Sequence, residues 1–437
     1  MKTLPPLVVM VKDYCPDQPE YAHGVANYVM NVTPRSPGSY GPFQDYKAYA
    51  AAPLPLRPQG AYGGADVSGN VSAFVGTATD LYQMQVGTTS WTNVSKSVAA
   101  YHCPTDSNWS FSLFNARIIA ANIGDPIQSY ILGTSAKFSD LSATAPQARY
   151  VTTAKGFLIA ANTWDSISGA APWRVWWSAL GDPTNWPTPG TVAAATVQSD
   201  YNDTVGEGGA ITGIVGNLGS ADAAIFFERA VWRMLYVGPP AVFNFVPAEG
   251  VRGTDAPGSI AQLGSIVFYL GEDGFYAFDG TQSTPIGAEK VDRSFLADLA
   301  PNGKRRITAA IDPLNKLYIV SYPSVNSGAN GTPDMLLIYN WVTKRWAKAQ
   351  MTLDMLFRAF TFGYSLDGLD ATGFNIDTLP YSLDSRVWTA GQILLGAFQN
   401  NTLGYLNGPN LAASVETDET IPMVPGHRTF INNTRPL

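Results

Sequence analysis

One phrase recurs along this chain: an apolar run, a tight turn favouring Gly, Asn or Asp, a second apolar run, and an aromatic a few residues later. It reads VSAFVGTATDLYQM ahead of Trp91, AAIFFERAVWRMLYVG, SIVFYLGEDGFYAFDG, KLYIVSY followed by DMLLIYNWVTKRW, and QILLGAFQNNTLGYLNG. Each copy pairs two strands through a turn, and a hairpin that cannot bury both of its faces must be covered by the next copy. The expected fold class is therefore all-β: a β-propeller of six or seven irregular blades with loop insertions.

Residues 1–65 form a Pro- and Tyr-rich lead-in, including TPRSPGSYGPF, too interrupted for central strands but able to run extended along a surface. Residues 66–411 carry the blade units, whose closing residues fall near Trp91, Phe138, Trp186, Phe243, Ile286, Trp346 and Leu411. Their spacing of roughly 40 to 65 residues is wider than that of regular propeller repeats, so insertions are expected. The turn-rich segments 164–172, 323–333 and 364–381 are the places for them. Residues 412–437 end in MVPGHRTFINNTRPL, which alternates like a strand in mid-course. Either an edge strand stops there or the native product continues into further sequence.

Composition narrows the function. Apolar residues at 46% suffice for a large core, while charged residues at only 14% leave a surface that partners would cover. A net charge of −7 argues against a protein that grips nucleic acid, because such grip comes from Lys and Arg on phosphates. It is compatible with a wall that DNA slides past. The longest basic cluster, Lys304-Arg305-Arg306, leads into strand-like ITAAI and reads either as a contact patch or as a solvated strand entrance. The apolar run Leu4–Val11 is short, broken by Pro5 and Pro6, and followed by no cleavage site, and no segment has the length of a membrane span. A soluble protein made in a cytoplasm is expected.

Catalytic chemistry finds little footing. Cys15 and Cys103 have no CxxC spacing and read as reduced thiols; His23, His102 and His427 share no chelating interval. Glu228 and the pair Glu272-Asp273 are the carboxylates one would nominate as acid and base, but both sites read as hairpin turns. Asp367, Asp370, Asn375 and Asp377 share one loop without the ordered alternation of a calcium-binding loop. No catalytic residue, cofactor or metal is therefore assigned. GEDGFYAF lacks the Ser, Thr and Trp of the turn that sialidase propellers repeat.

The order of five segments carries a resemblance. VVMVKDYCPDQPEYAHGVANYVMNVTPRSPGSYGPF, WWSALGDPTNWPT, AAIFFERAVWRMLYVG, VRGTDAPGSIAQLGSIVFYLGEDGFYAFDGTQSTPIG and LLIYNWVTKRW together resemble the tail hub or nozzle proteins of short-tailed bacteriophages, over most of residues 7–411. The C-terminus does not match a complete ending. The resemblance implies a structural virion protein, assembled in the bacterial cytoplasm, whose copies form a homohexameric ring below the portal and adaptor. Such a ring extends the DNA channel and anchors tail fibres or a needle-like plug. Head-to-tail contacts in a ring need two unlike faces on each subunit. Tyr40, Phe43, Tyr46, Tyr49, Trp164 and Trp173 are the exposed aromatics expected to supply them. The alternative from another class is a carbohydrate-binding or glycan-cleaving propeller.

Overall fold

Seven four-stranded antiparallel sheets succeed one another in the computed structural model, which describes residues 13–19, 25–36, 38–65, 71–85, 89–97, 100–328, 331–361 and 393–417. Blade one comprises Ala61–Ala65, Val71–Gly76, Leu81–Gln85 and Thr92–Asn93, and blade two Ser110–Phe114, Arg117–Ala121, Gln128–Ile131 and Ser139–Asp140. Blade three comprises Gln147–Ala154, Phe157–Asp165, Gly169–Trp177 and Asp200–Asp203, and blade four Ile211–Gly216, Ala223–Phe227, Val231–Gly238 and Val242–Glu249. Blade five comprises Ala261–Leu263, Ile266–Leu270, Phe275–Phe278 and Ser283–Pro285, and blade six Thr308–Asp312, Leu317–Tyr322, Met335–Asn340 and Arg345–Gln350. Blade seven has Met355–Phe360, Ile393–Gln399 and Thr402–Tyr405, and takes its fourth strand, Lys47–Ala48, from near the other end of the chain. The protein is a seven-bladed β-propeller, which settles the blade count.

The first strand of each blade lies innermost, and the innermost strands of blades seven and one meet, so the ring is closed. The second strands explain the apolar runs. Ala223, Ile225 and Phe227 pack toward blade three, whereas Ala224 and Phe226 pack toward blade five. In blade two, Ile118 and Ala120 join a cluster with Phe74 of blade one, while Ile119 and Ala121 join one with Leu158 and Trp176 of blade three. Successive side chains of a strand point to opposite faces, and here each face is covered by a neighbouring blade. Hence AAIFF and LYIVSY are buried at every position, whereas an outer strand such as Thr92–Asn93 is polar and exposed.

Within the segment read as a lead-in, Lys47–Ala48 and Ala61–Ala65 are propeller strands. The strands of residues 26–42 run along the outer edge of blade six. Ala26–Met30 pairs with Ser414–Thr417, and Val32–Ser36 forms a hairpin with Ser39–Pro42. Tyr14, Val29, Val32 and Phe43 enter the blade-six core. Arg345, 1% exposed, fastens this arm: it donates to the Ser36 carbonyl at 2.9 Å, stacks on Tyr40 at 4.2 Å and pairs with Asp13 at 2.9 Å. Of the expected insertions, 164–172 proves to be the end of a long hairpin, with strand pairing as far as Asp165 and Gly169. The segment 323–333 joins two blade-six strands, and 364–381 lies outside the described residues.

Closure depends on two ladder residues, Lys47 opposite Tyr405 and Ala48 opposite Gly404. Flanking bonds extend it: the Tyr49 and Ala50 amides both donate to the Leu403 carbonyl, and the Tyr46 hydroxyl donates to that of Thr402. A side chain at Gly404 would run into the Lys47 carbonyl and the Tyr46 ring. Gly404→Val is therefore expected to expel the closing strand and lower stability by on the order of 3 kcal/mol. A lowered denaturation midpoint with new protease cleavage before Ala61 checks it; an unchanged midpoint and a protected N-terminal segment would refute it.

Candidate functional site at the axial mouth

Strands alternate direction within a blade, so the turn between the second and third strands lies on the same face as the connection from one blade to the next. The inter-blade connections bring Arg57, Asp106, Asp255, Lys304, Arg305, Arg306 and Asp354 to that face. Arg149 and Tyr150 lie near the start of the innermost strand of blade three, at the same end.

The pairings locate these groups over the axis. Arg305 pairs with Asp106, although one sits between blades five and six and the other between blades one and two. Those connections are nearly opposite across a seven-bladed ring, so their side chains meet over its centre. Lys304 reaches both carboxylate oxygens of Asp255, at 3.0 and 2.8 Å. Arg57 donates to the Thr105 carbonyl at 3.0 Å. Gln59, 2% exposed, fixes the Asp106 loop by donating to the carbonyls of Pro104 at 2.7 Å and Ser107 at 2.8 Å.

The local electrostatics are those of crowded cations in a partly dry place. Burial, with Arg306 adding to it, lowers the Arg57 guanidinium to about 10. Burial raises the Cys103 thiol to about 12 against the pull of Arg57 and Arg149. Tyr150 is raised to about 12, again by burial first, against the pull of Arg149 and Arg305. The run Lys304-Arg305-Arg306 is a strand entrance: it lies on the short 3-10 turn Gly303–Arg306 that leads into blade six, and two of its members pair with carboxylates of other loops. Arg57 and Arg149 were not singled out from the sequence, because each stands alone there and only the ring brings them beside the run.

Of the six expected surface aromatics, Trp164 is 41% and Trp173 39% exposed. The other four are occupied inside. Phe43 and Tyr49 are buried, the latter edge-on to Tyr405 at 5.4 Å. Tyr40 and Tyr46 are half-buried, and their hydroxyls donate to the carbonyls of Trp346 and Thr402. The physical reason is that the lead-in is folded onto blades six and seven, so its aromatics pack against them.

Glu228 and Asp273 sit on exposed hairpin turns of blades four and five, and Asp273 accepts the Tyr276 hydroxyl at 2.8 and 2.9 Å. His102 keeps its ring exposed, with Nδ1 3.4 Å from Asp125. Both cysteines are buried and unbonded to each other, and no metal-holding cluster occurs among the described residues. His23, His427 and the Asp367–Asp377 loop fall outside the described residues. No helix among the described residues is long and apolar enough to cross a membrane.

Asp292 stands apart among the carboxylates. Burial raises it to about 6, although its Oδ1 accepts the Phe275 amide at 3.1 Å. A side chain at either Gly274 or Gly287 would collide with its carboxylate, so it is a wedge between two backbone turns.

No known family pattern matches this chain, and no curated protein matches it. Among solved structures, the computationally designed Ika8 protein aligns over 82% of this chain and 99% of its own, at 9% identity and a TM-score of 0.38. That likeness is too loose to carry an argument.

The Asp292 shift has a definite sign. Between about pH 4 and pH 6 the folded state keeps a proton that the unfolded chain has released, so stability falls as pH rises through this window and stays lower above it. The full span is at most on the order of 3 kcal/mol. Asp292→Asn is expected to remove the slope and raise the melting temperature at pH 7.5 relative to pH 4.5. Parallel melting curves for variant and parent at the two pH values would refute this.

Proposed function

We propose that this chain is a structural tail-hub or nozzle protein of a short-tailed phage, non-enzymatic, that assembles into a ring of six below the portal and adaptor. In that position its ring extends the path of the DNA and offers anchorage for fibres or a plug. The order of the segments in the sequence supports the family. One structural observation supports ring assembly: two unlike apolar surfaces on nearly opposite sides of the propeller.

The first surface is the end of the blade-three hairpin, where Trp164, Ile167, Trp173 and Tyr201 are exposed, Ile167 at 87%. Arg174 holds this hairpin rigid. It bonds Asp203 through Nε at 2.7 Å and Nη2 at 2.9 Å, Asp165 at 3.1 Å and Ser168 at 2.9 Å, and covers the Tyr201 ring at 3.9 Å. The paired hydrogen bonds fix the guanidinium plane, and a pre-ordered apolar tip loses little entropy on docking. The second surface is the arm along blade six, where Tyr28 and Val415 are exposed on the Ala26–Met30 and Ser414–Thr417 pair. Two complementary surfaces that differ allow head-to-tail contacts, which form a ring when the rotation between neighbours closes.

Native mass spectrometry of the purified protein is expected to give a hexamer. Ile167→Asp combined with Trp164→Ala should leave a monomer whose melting temperature changes little, since both side chains are solvent-facing. A parent protein that stays monomeric at every concentration, and is absent from phage particles of its source culture, would overturn the reading. In particles, the expected abundance is half that of a twelvefold portal.

A further inference from the structure

We propose that the cleft between the arm and the ends of blades six and seven binds a small organic monoanion, a carboxylate flanked by hydroxyl groups, with Arg35 and Lys316 receiving the carboxylate. This stands independently of the tail reading, because the cleft belongs to one chain and not to a ring of copies.

A cleft of about 450 Å³ opens at this place, a volume within the roughly 300 to 1,000 Å³ of small-molecule sites. One wall is the hairpin of Val32–Ser36 and Ser39–Pro42, which contributes Thr33 and Arg35. A second is formed by two turns of blade six, with Asn315 and Lys316 on one and Thr343 on the other, and a third by Leu395 and Leu406 of blade seven. These turns join the first strand to the second and the third to the fourth, so the cleft lies on the face of the propeller opposite the axial mouth.

The walls are fastened to one another. Asn340, 4% exposed, donates to the Pro34 carbonyl of the hairpin at 3.2 Å and to the Asn315 carbonyl of the first turn at 3.4 Å. Its Oδ1 accepts the Val342 and Thr343 amides of the second turn, both at 3.0 Å. One buried side chain thus holds three segments in register, and a cleft shaped beforehand loses little entropy on binding. Arg35 is positioned as well, since it lies across Gly41, where a side chain would collide with its guanidinium.

The charge in the cleft is one-sided. Arg35 and Lys316 are exposed, and neither has a carboxylate partner among the described residues. Asp312, the acid among the described lining residues, is 8% exposed and already engaged. Its Oδ1 accepts the Leu314 and Asn315 amides at 3.0 and 3.2 Å, and its Oδ2 accepts the Asn315 side-chain amide at 2.6 Å. Two cations against one carboxylate leave a single positive charge, which suits a monoanion better than a dianionic phosphate.

The remaining lining sets the body of the ligand. The Thr33 and Gln44 side chains make no hydrogen bond among the described residues, and the Thr343 hydroxyl is buried without a partner. Beside these unspent polar groups stand the aliphatic Leu395 and Leu406. Such a lining matches a molecule that carries both hydroxyl and C–H surface. The shared chemistry is a carboxylate beside hydroxyls, whether on a sugar acid or on an open-chain hydroxy acid.

Isothermal titration with glucuronate, gluconate, glucose and acetate at low ionic strength tests it. Saturable binding of glucuronate or gluconate is expected, with glucose and acetate at least about tenfold weaker. Tighter glucuronate would identify a sugar-acid site, and equal or tighter gluconate an open-chain one. Arg35→Gln and Lys316→Gln should each weaken the acid about fivefold with melting temperatures near the parent's, whereas Lys137→Gln, exposed on blade two, should leave binding unchanged. A crystal of the parent protein soaked in the tighter acid gives a readout that needs no variant, and density between Arg35 and Lys316 is the expected result. Absence of heat with both acids, glucose or acetate bound as tightly, binding untouched by either cation variant, or density only elsewhere would overturn the proposal.

Discussion

The ring holds because Lys47 and Ala48 complete a sheet whose other three strands lie more than three hundred residues further along the chain. Without them blade seven would present Thr402–Tyr405 as an open edge, and an open edge recruits other chains. The ladder contact is short, but it is flanked by amide bonds from Tyr49, Ala50 and Leu54 to carbonyls of the same hairpin. Every blade depends on this seam. Each second strand is apolar on both faces, so a blade missing one neighbour would expose half of its core.

That double burial also governs where charge can go. Strands such as AAIFF and MLLIYN, enclosed on both sides, carry no charged residue, and charged groups lie instead in turns, third and fourth strands and innermost strands such as that of Arg358. Where a charge is enclosed, it is answered: Arg174 by Asp165 and Asp203, Arg345 by Asp13 and a Tyr40 ring. At the axial mouth Lys304 is answered by Asp255 and Arg305 by Asp106. The arm over blade six follows the same economy of charge, since its Asp17 carboxylate accepts the Arg293 and Ser294 amides and so caps a helix that has no cap of its own.

The repeated hairpin made the propeller readable, because continuous apolar runs between turns survive as a pattern in one dimension. Lys47–Ala48 left no such trace: a two-residue outer strand has neither period nor apolar content, and its partner is remote. Tyr40, Phe43, Tyr46 and Tyr49 were misplaced to the surface for a related reason, since Pro-rich sequence tells of extended chain without telling what it lies against. Lys304-Arg305-Arg306 was visible as a run, but its partners Asp106 and Asp255 were not, and Arg57 and Arg149 had no neighbours in sequence to mark them. Trp164 and Trp173 were singled out because aromatic residues flanking a turn-rich segment can be seen without knowing the fold.

The seam also sets an order of events during synthesis. Residues 47 and 48 leave the ribosome more than three hundred residues before the strand that receives them, Thr402–Tyr405. Until that strand is made, the early blades stand with an uncovered flank and a tethered, unpaired segment, and the circle can shut only when Thr402–Tyr405 has emerged. A transcript or ribosome that stops short of residue 402 yields a product whose seventh blade lacks the strand that Lys47 and Ala48 pair with, so its ring cannot close.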